Sequence, residues 1–108
     1  MTLDEYQRLA LRTAGSRNLA CSALGLCGEA GEYAECIKHE LFHKHPENHG
    51  KKLRELGDVL WYLAICAADN GMTLAEVAAT NIEKLKARYP DGFSPDASMA
   101  RADGEEMT

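Results

Sequence analysis

Residues 59–68, VLWYLAICAA, form ten consecutive positions without a charge, entered through Glu55 and Asp58. At helical spacing this run is apolar on every side, which is the pattern of a helix buried on most of its surface, within one domain or between subunits. A fold built on it must surround it with other elements. Hydrophobic residues make up 45% of the 108-residue chain but aromatics only 6%, with many Ala and Leu, so the surrounding elements are expected to be helices rather than strands. The length suits one domain with one core.

Four helices can be read along the chain. The first opens on a capping box, Thr2 with Glu5, and continues with Leu3, Tyr6, Leu9, Ala10 and Thr13 at helical spacing until Gly15 and Ser16. The second is expected from about Asn18 to about His43, with an inward stripe of Leu19, Ala23, Leu26, Ala30, Ile37 and Leu41. A loop, HKHPENHGKK, follows. The third, from about Lys51 to Asn70, holds the apolar run and ends at Gly71, a good C′ residue. The fourth starts with a Thr73–Glu76 capping box, buries Leu74, Val77, Ala78, Ile82 and Leu85, and stops before Pro90. Residues 95–108 are small and polar and read as a flexible tail behind a domain of residues 1–94.

Several function classes are disfavoured. No apolar run approaches the ~18 residues of a membrane span, and the charged N-terminus has no secretory h-region. The net charge of −5 speaks against nucleic-acid binding. Cysteines 21, 27, 36 and 66 form no C-x-x-C and have apolar neighbours, so they read as reduced, buried, small hydrophobes in a cytoplasmic protein.

The chemistry lies in the acids. Glu29 with Glu32, and Glu55 with Asp58, are pairs at i, i+3 on two helices, so each pair shares one helix face. If the helices pack antiparallel, the pairs converge. Four carboxylates beside apolar stripes require raised pKa values, basic partners or divalent cations, because desolvation costs several kcal/mol per ion. Oxygen-only ligands suit Mg²⁺ or Mn²⁺. Gly25, Gly28 and Gly31 recur among these acids, each costing up to about 1 kcal/mol against Ala, so a close approach by a helix or a ligand is expected there. Asn81, Lys84 and Arg88 make a second polar set suited to a phosphate or a base. A di-iron bundle fits poorly: it needs two Glu-x-x-His motifs and the chain has one, Glu40 to His43. His39, His43, His45 and His49 cluster at a helix end and loop and read as solvated, with a soft metal as the alternative.

GLCGEAGEYAECIK (25–38), ELGDVLWYLA (55–64) and NIEKLKARYPDGF (81–93) together resemble the MazG-type nucleoside triphosphate pyrophosphohydrolases of the all-α NTP pyrophosphatase superfamily. The family pattern E-E-x-x-E then E-x-x-D is met by Glu29, Glu32, Glu55 and Asp58, with Gly28 in place of the first Glu. The resemblance implies an oligomeric four- to five-helix bundle, a homodimer or homotetramer, that converts a (d)NTP and water to (d)NMP and pyrophosphate with Mg²⁺, for which Mn²⁺ can substitute. It assigns the metal to the four acids. Asn81, Lys84, Arg88 and, more weakly, Lys38 and Tyr89 would contact substrate, Lys84 with a catalytic role on the phosphates. Trp61 and Tyr62 would line the base pocket or pack the core. A catalytically inactive nucleotide- or metal-binding module is the alternative.

Overall fold

Helix ends in this chain are set by side-chain caps. In the computed structural model, which describes residues 1–16 and 18–100, Thr2 Oγ1 accepts from Glu5 N at 3.0 Å and opens α1 (Leu3–Leu11). Asn18 Oδ1 accepts from Cys21 N at 3.2 Å and opens α2 (Leu19–Phe42). Asn48 Oδ1 accepts from Lys51 N at 3.0 Å and opens α3 (His49–Asp69). This last cap starts α3 two residues before the expected Lys51; an Asn cap satisfies orphan N–H groups that a loop would leave to water. Gly71, at φ +70°, closes α3 in a Schellman motif, its N–H on Ala68 O at 2.9 Å and that of Met72 on Ala67 O at 2.8 Å.

The chain divides into two units, Met1–Leu74 and Ala75–Thr108. In the first, α2 and α3 form an antiparallel hairpin. Its register shows in three contacts: Glu40 with Asn48 and Lys52, Glu29 with Glu55, and Gly25 with Tyr62. The hairpin is tight at Gly25, where a Cβ would lie 2.2 Å from the Tyr62 ring. By contrast, among the described residues nothing outside the helix's own backbone comes within 4 Å of such a Cβ at Gly28 or Gly31. The close approach expected of three glycines therefore belongs, within the chain, to Gly25.

The face that α2 turns to α3 is also not the leucine stripe. Ser22 and Cys36 are the buried residues of α2, with Gly25 and Glu29 half-buried between them and Glu40 one turn beyond, while Leu19, Ala23, Ala30 and Leu41 of the expected stripe are exposed and its Leu26 and Ile37 half-buried. Small and acidic residues permit the close approach, and most of the expected stripe is left outside it. α1 is tied to the end of α3 by the buried Gln7. Its amide N–H donates to Ala64 O and Met72 O, both at 3.1 Å, and its carbonyl accepts from Leu74 N at 3.1 Å. The buried hydrophobic residues are Ala10, Cys36, Ala64, Ile65, Ala67 and Leu74. All four cysteines are free thiols, but Cys21 and Cys27 are exposed, against the expectation that all are buried. Cys27 lies on the outward side of α2, whereas Cys21, one turn before Gly25, stands at the mouth of the hairpin beside Trp61 and Tyr62.

The second unit carries α4 (Leu74–Arg88), which begins on the last residue of the first, and α5 (Pro95–Ala100). α5 falls in the segment read as a tail. Ser94 Oγ accepts from Ala97 N at 3.0 Å and Pro95 stands at the first helical position, a good helix start. Residues 101–108 of that tail lie outside the described residues. The described residues contain no strand, and none of their helices is long and apolar enough to cross a membrane.

Candidate metal centre

Glu29 of α2 and Glu55 and Asp58 of α3 meet across the hairpin. One carboxylate oxygen from each lies within 4.8 Å of the other two, and among the described residues this is the one group of three or more His, Cys, Asp or Glu side chains that close together. The i, i+3 spacing puts Glu55 and Asp58 on one face of α3, and the antiparallel register brings Glu29 opposite them. Glu29 and Glu55 are half-buried and Asp58 is exposed, so the cluster sits at the hairpin's edge, open to a solute.

Gathering these groups perturbs them. Glu29 is held above the ordinary carboxylate range, first by burial, then by the charges of Asp58, Glu55 and Glu32, and by a hydrogen bond with Glu55. The crowding of negative charge marks the place where positive charge is wanted, and a divalent cation can supply it. Every donor is a carboxylate oxygen, the ligand type of Mg²⁺ and Mn²⁺. Glu32 lies outside the close group and is exposed, one turn beyond Glu29, near enough for its charge to act there.

Tyr6 of α1 belongs to the same neighbourhood. Its phenol is raised by burial and then by the charge of Asp58. In the sequence Tyr6 is one apolar member of an amphipathic stripe, and nothing local marks it as a neighbour of the acids.

Trp61 and Tyr62 follow Asp58 by three and four residues, about one helical turn. Their rings meet edge to face at 4.9 Å, and Trp61 Nε1 donates to Thr13 Oγ1 at 2.9 Å. Both line a cavity of about 180 Å³ together with Asn18, Cys21, Ser22 and Ile65. An aromatic cavity thus begins one turn from the acids, in the same unit. Lys38 does not point that way. It stands nine residues after Glu29, half a turn off its face, and pairs with Glu35 at 3.9 Å.

In the second unit, Asn81, Lys84 and Arg88 fall at i, i+3 and i+7 and share one face of α4. Lys84 and Arg88 are half-buried; Asn81 is exposed, as are Ile82 and Leu85, which were expected to be buried.

The family model described as the MazG nucleotide pyrophosphohydrolase domain matches residues 19–93. The Gene 37 protein of Mycobacterium phage L5 is 35% identical over 105 residues, spanning 85% of this chain and 92% of that protein. No solved structure matches the chain.

Proposed function

The chain belongs to the MazG nucleotide pyrophosphohydrolase family, and from that premise we propose that it hydrolyses a nucleoside triphosphate to the monophosphate and pyrophosphate with Mg²⁺ as cofactor. The observation that carries this reading is the convergence of Glu29, Glu55 and Asp58 at an open edge of the hairpin. Those three would hold the cation, and Glu32 would join them through its three side-chain torsions. Bound there, Mg²⁺ supplies neutralisation of the phosphate charge and a more acidic water.

The chain's own residues do the rest. Glu29, whose carboxyl is pushed up by burial and by the charges of Asp58, Glu55 and Glu32, would ligate as the carboxylate. A carboxylate not fully engaged with the cation, such as Glu32, which is exposed and outside the close group, takes the proton of the attacking water. The Trp61–Tyr62 cavity, one turn from the acids, has the aromatic lining that stacks a base. Asn81, Lys84 and Arg88 are included on their chemistry: two cations and an amide on one helix face suit phosphate oxygens and a sugar or base. Oxygen ligands of this kind allow Mn²⁺ in place of Mg²⁺.

One observation favours a second reading, a module that binds metal and nucleotide without turnover: three acids gather closely, not four, and Gly28 replaces the family's first Glu. One experiment separates the two. Pyrophosphate and nucleoside monophosphate are quantified from a panel of NTPs and dNTPs with Mg²⁺ or Mn²⁺, beside Glu55→Gln and Asp58→Asn. Metal-dependent release of both products, lost in both variants, is expected. Tight nucleotide binding without products across the panel would establish the module instead.

A further inference from the structure

The C-terminal end of α2 carries a second cluster of metal-binding side chains, on the same helix as Glu29 but at its far end. His39 and His43 stand at i, i+4 on the last turn, the spacing by which two imidazoles of one helix reach a common ion. The chain then folds back. Lys44 adopts φ +57°, a left-handed conformation that costs a non-glycine residue roughly 1–2 kcal/mol. His45 N–H consequently returns to His39 O at 3.0 Å, the carbonyl that also accepts from His43 N–H at 3.2 Å. Three imidazoles are thereby brought together, with ring centroids 4.7 Å (His39–His45), 5.3 Å (His39–His43) and 6.3 Å (His43–His45) apart.

Three imidazoles on one tetrahedral ion, with nitrogens about 2.1 Å from it, have centroids roughly 5 Å apart. Two of the three centroid separations match that spacing, while the nitrogens of the three rings are not all within 4.8 Å of one another. Their nitrogens do not meet at one point, and rotation of the rings within their side-chain torsions is what binding requires. His39 and His45, though not His43, line a cavity of about 220 Å³ together with Cys36, Glu40 and Lys51 among others. Cys36, three residues before His39, is buried and offers a thiol from the cavity wall. Glu35 Oε2 lies 3.4 Å from His39 Nε2, the carboxylate–histidine arrangement that orients a ligating ring and leaves its other nitrogen for the ion. The helix C-terminus adds the negative end of the dipole. Lys51 opposes a cation here, while Lys52 is already neutralised by Glu40 at 3.1 Å and Glu47 at 3.3 Å.

We propose that His39, His43 and His45, with Cys36 as the available fourth ligand, form a site for a borderline or soft divalent ion of the Zn²⁺, Co²⁺ or Ni²⁺ type, separate from the carboxylate cluster. The donor chemistry divides the two: nitrogen and sulfur select late transition ions, oxygen alone selects Mg²⁺. Occupancy ties the end of α2 to the loop that leads into α3.

Co²⁺ is the probe, titrated into tag-free, chelator-washed full-length chain and followed by its visible absorption. A stoichiometric spectrum of the low-coordinate, nitrogen-ligated kind is expected, displaced by Zn²⁺ but not by excess Mg²⁺. It should persist in Asp58→Asn and in His49→Ala, and weaken at least about tenfold in the His39→Ala/His45→Ala double variant. Histidine-ring NMR of the unaltered chain under Zn²⁺ guards against a variant that fails to fold; His39, His43 and His45 should shift and His49 should not. Binding unchanged in the double variant, lost in Asp58→Asn, or displaced by Mg²⁺ would overturn the proposal, as would Zn²⁺ shifts that spare those three rings.

Discussion

Gln7 is the residue whose loss should be felt most per atom. Its side chain is 6% exposed and makes three hydrogen bonds, two to carbonyls and one from an N–H, and only one orientation of the amide satisfies all three. Leu at this position has nearly the same volume but leaves Leu74 N–H and Met72 O without that partner. A loss of about 2–4 kcal/mol is expected for Gln7→Leu, readable as a lower urea midpoint at unchanged slope. Glu29 carries the opposite kind of tension. Its pKa is raised in the fold, so between the ordinary glutamate range and that higher value the native state binds more protons than the unfolded one. Stability of the metal-free protein therefore falls as pH rises through that window. Mg²⁺ should restore it, with a Tm increment that grows as the pH is raised and vanishes in Asp58→Asn. An increment independent of pH would show that Glu29 is not discharged by the ion. The burden on Glu29 is announced by the acidic pairs, but that on Gln7 is not visible in sequence. Gln7 and Tyr6 look like ordinary members of an amphipathic helix, because their partners lie up to 67 residues away.

At the scale of elements, caps and periodicity were legible. Thr2, Asn18 and Gly71 end helices where their chemistry says they should, and the acidic pairs at i, i+3 do place Glu55 and Asp58 beside Glu29. What pattern could not decide was which face of α2 meets α3. A leucine stripe is the default inward face, yet here Ser22, Gly25 and Cys36 go in, because close approach of two helices is limited by side-chain bulk rather than by hydropathy. Gly25 tests that account. In Gly25→Ala the new methyl collides with the Tyr62 ring, which is braced against Trp61, at an overpacking cost of about 1–3 kcal/mol set against a helix gain of up to about 1 kcal/mol. Net destabilisation is expected, along with a change in Tyr62 near-UV dichroism. Gly28→Ala meets only open space among the described residues and should gain stability by up to about 1 kcal/mol. If Gly28→Ala instead weakens Mg²⁺ binding or assembly, a ligand or a second subunit uses the space the glycine leaves.

At the scale of the whole molecule, the leucines left outside the hairpin must be accounted for. Leu24 is 73% exposed, Phe42 77% and Leu53 64%, while the fully buried large side chain is Ile65 alone among the described residues. Leu53, Leu56, Leu60 and Leu63 on α3 are spaced three, four and three apart, the interval of a seam between helices. Large apolar side chains left in water in such number mark a surface that a partner covers. The apolar run that opens the sequence is thus only partly enclosed by its own chain: Trp61, Tyr62 and Leu63 remain half-exposed. A second copy is the economical cover, since a symmetric interface applies one patch twice. Sedimentation of the purified chain should give a dimer or tetramer, with a Tm that rises with protein concentration. Leu24→Glu and Leu53→Glu replace exposed side chains, so the single chain's own packing tolerates them, and they should shift the mass toward monomer. Because the acids lie at the edge of the same two helices, assembly and Mg²⁺ binding should be linked: monomeric variants with unaltered Mg²⁺ affinity would mean that each hairpin completes its site alone.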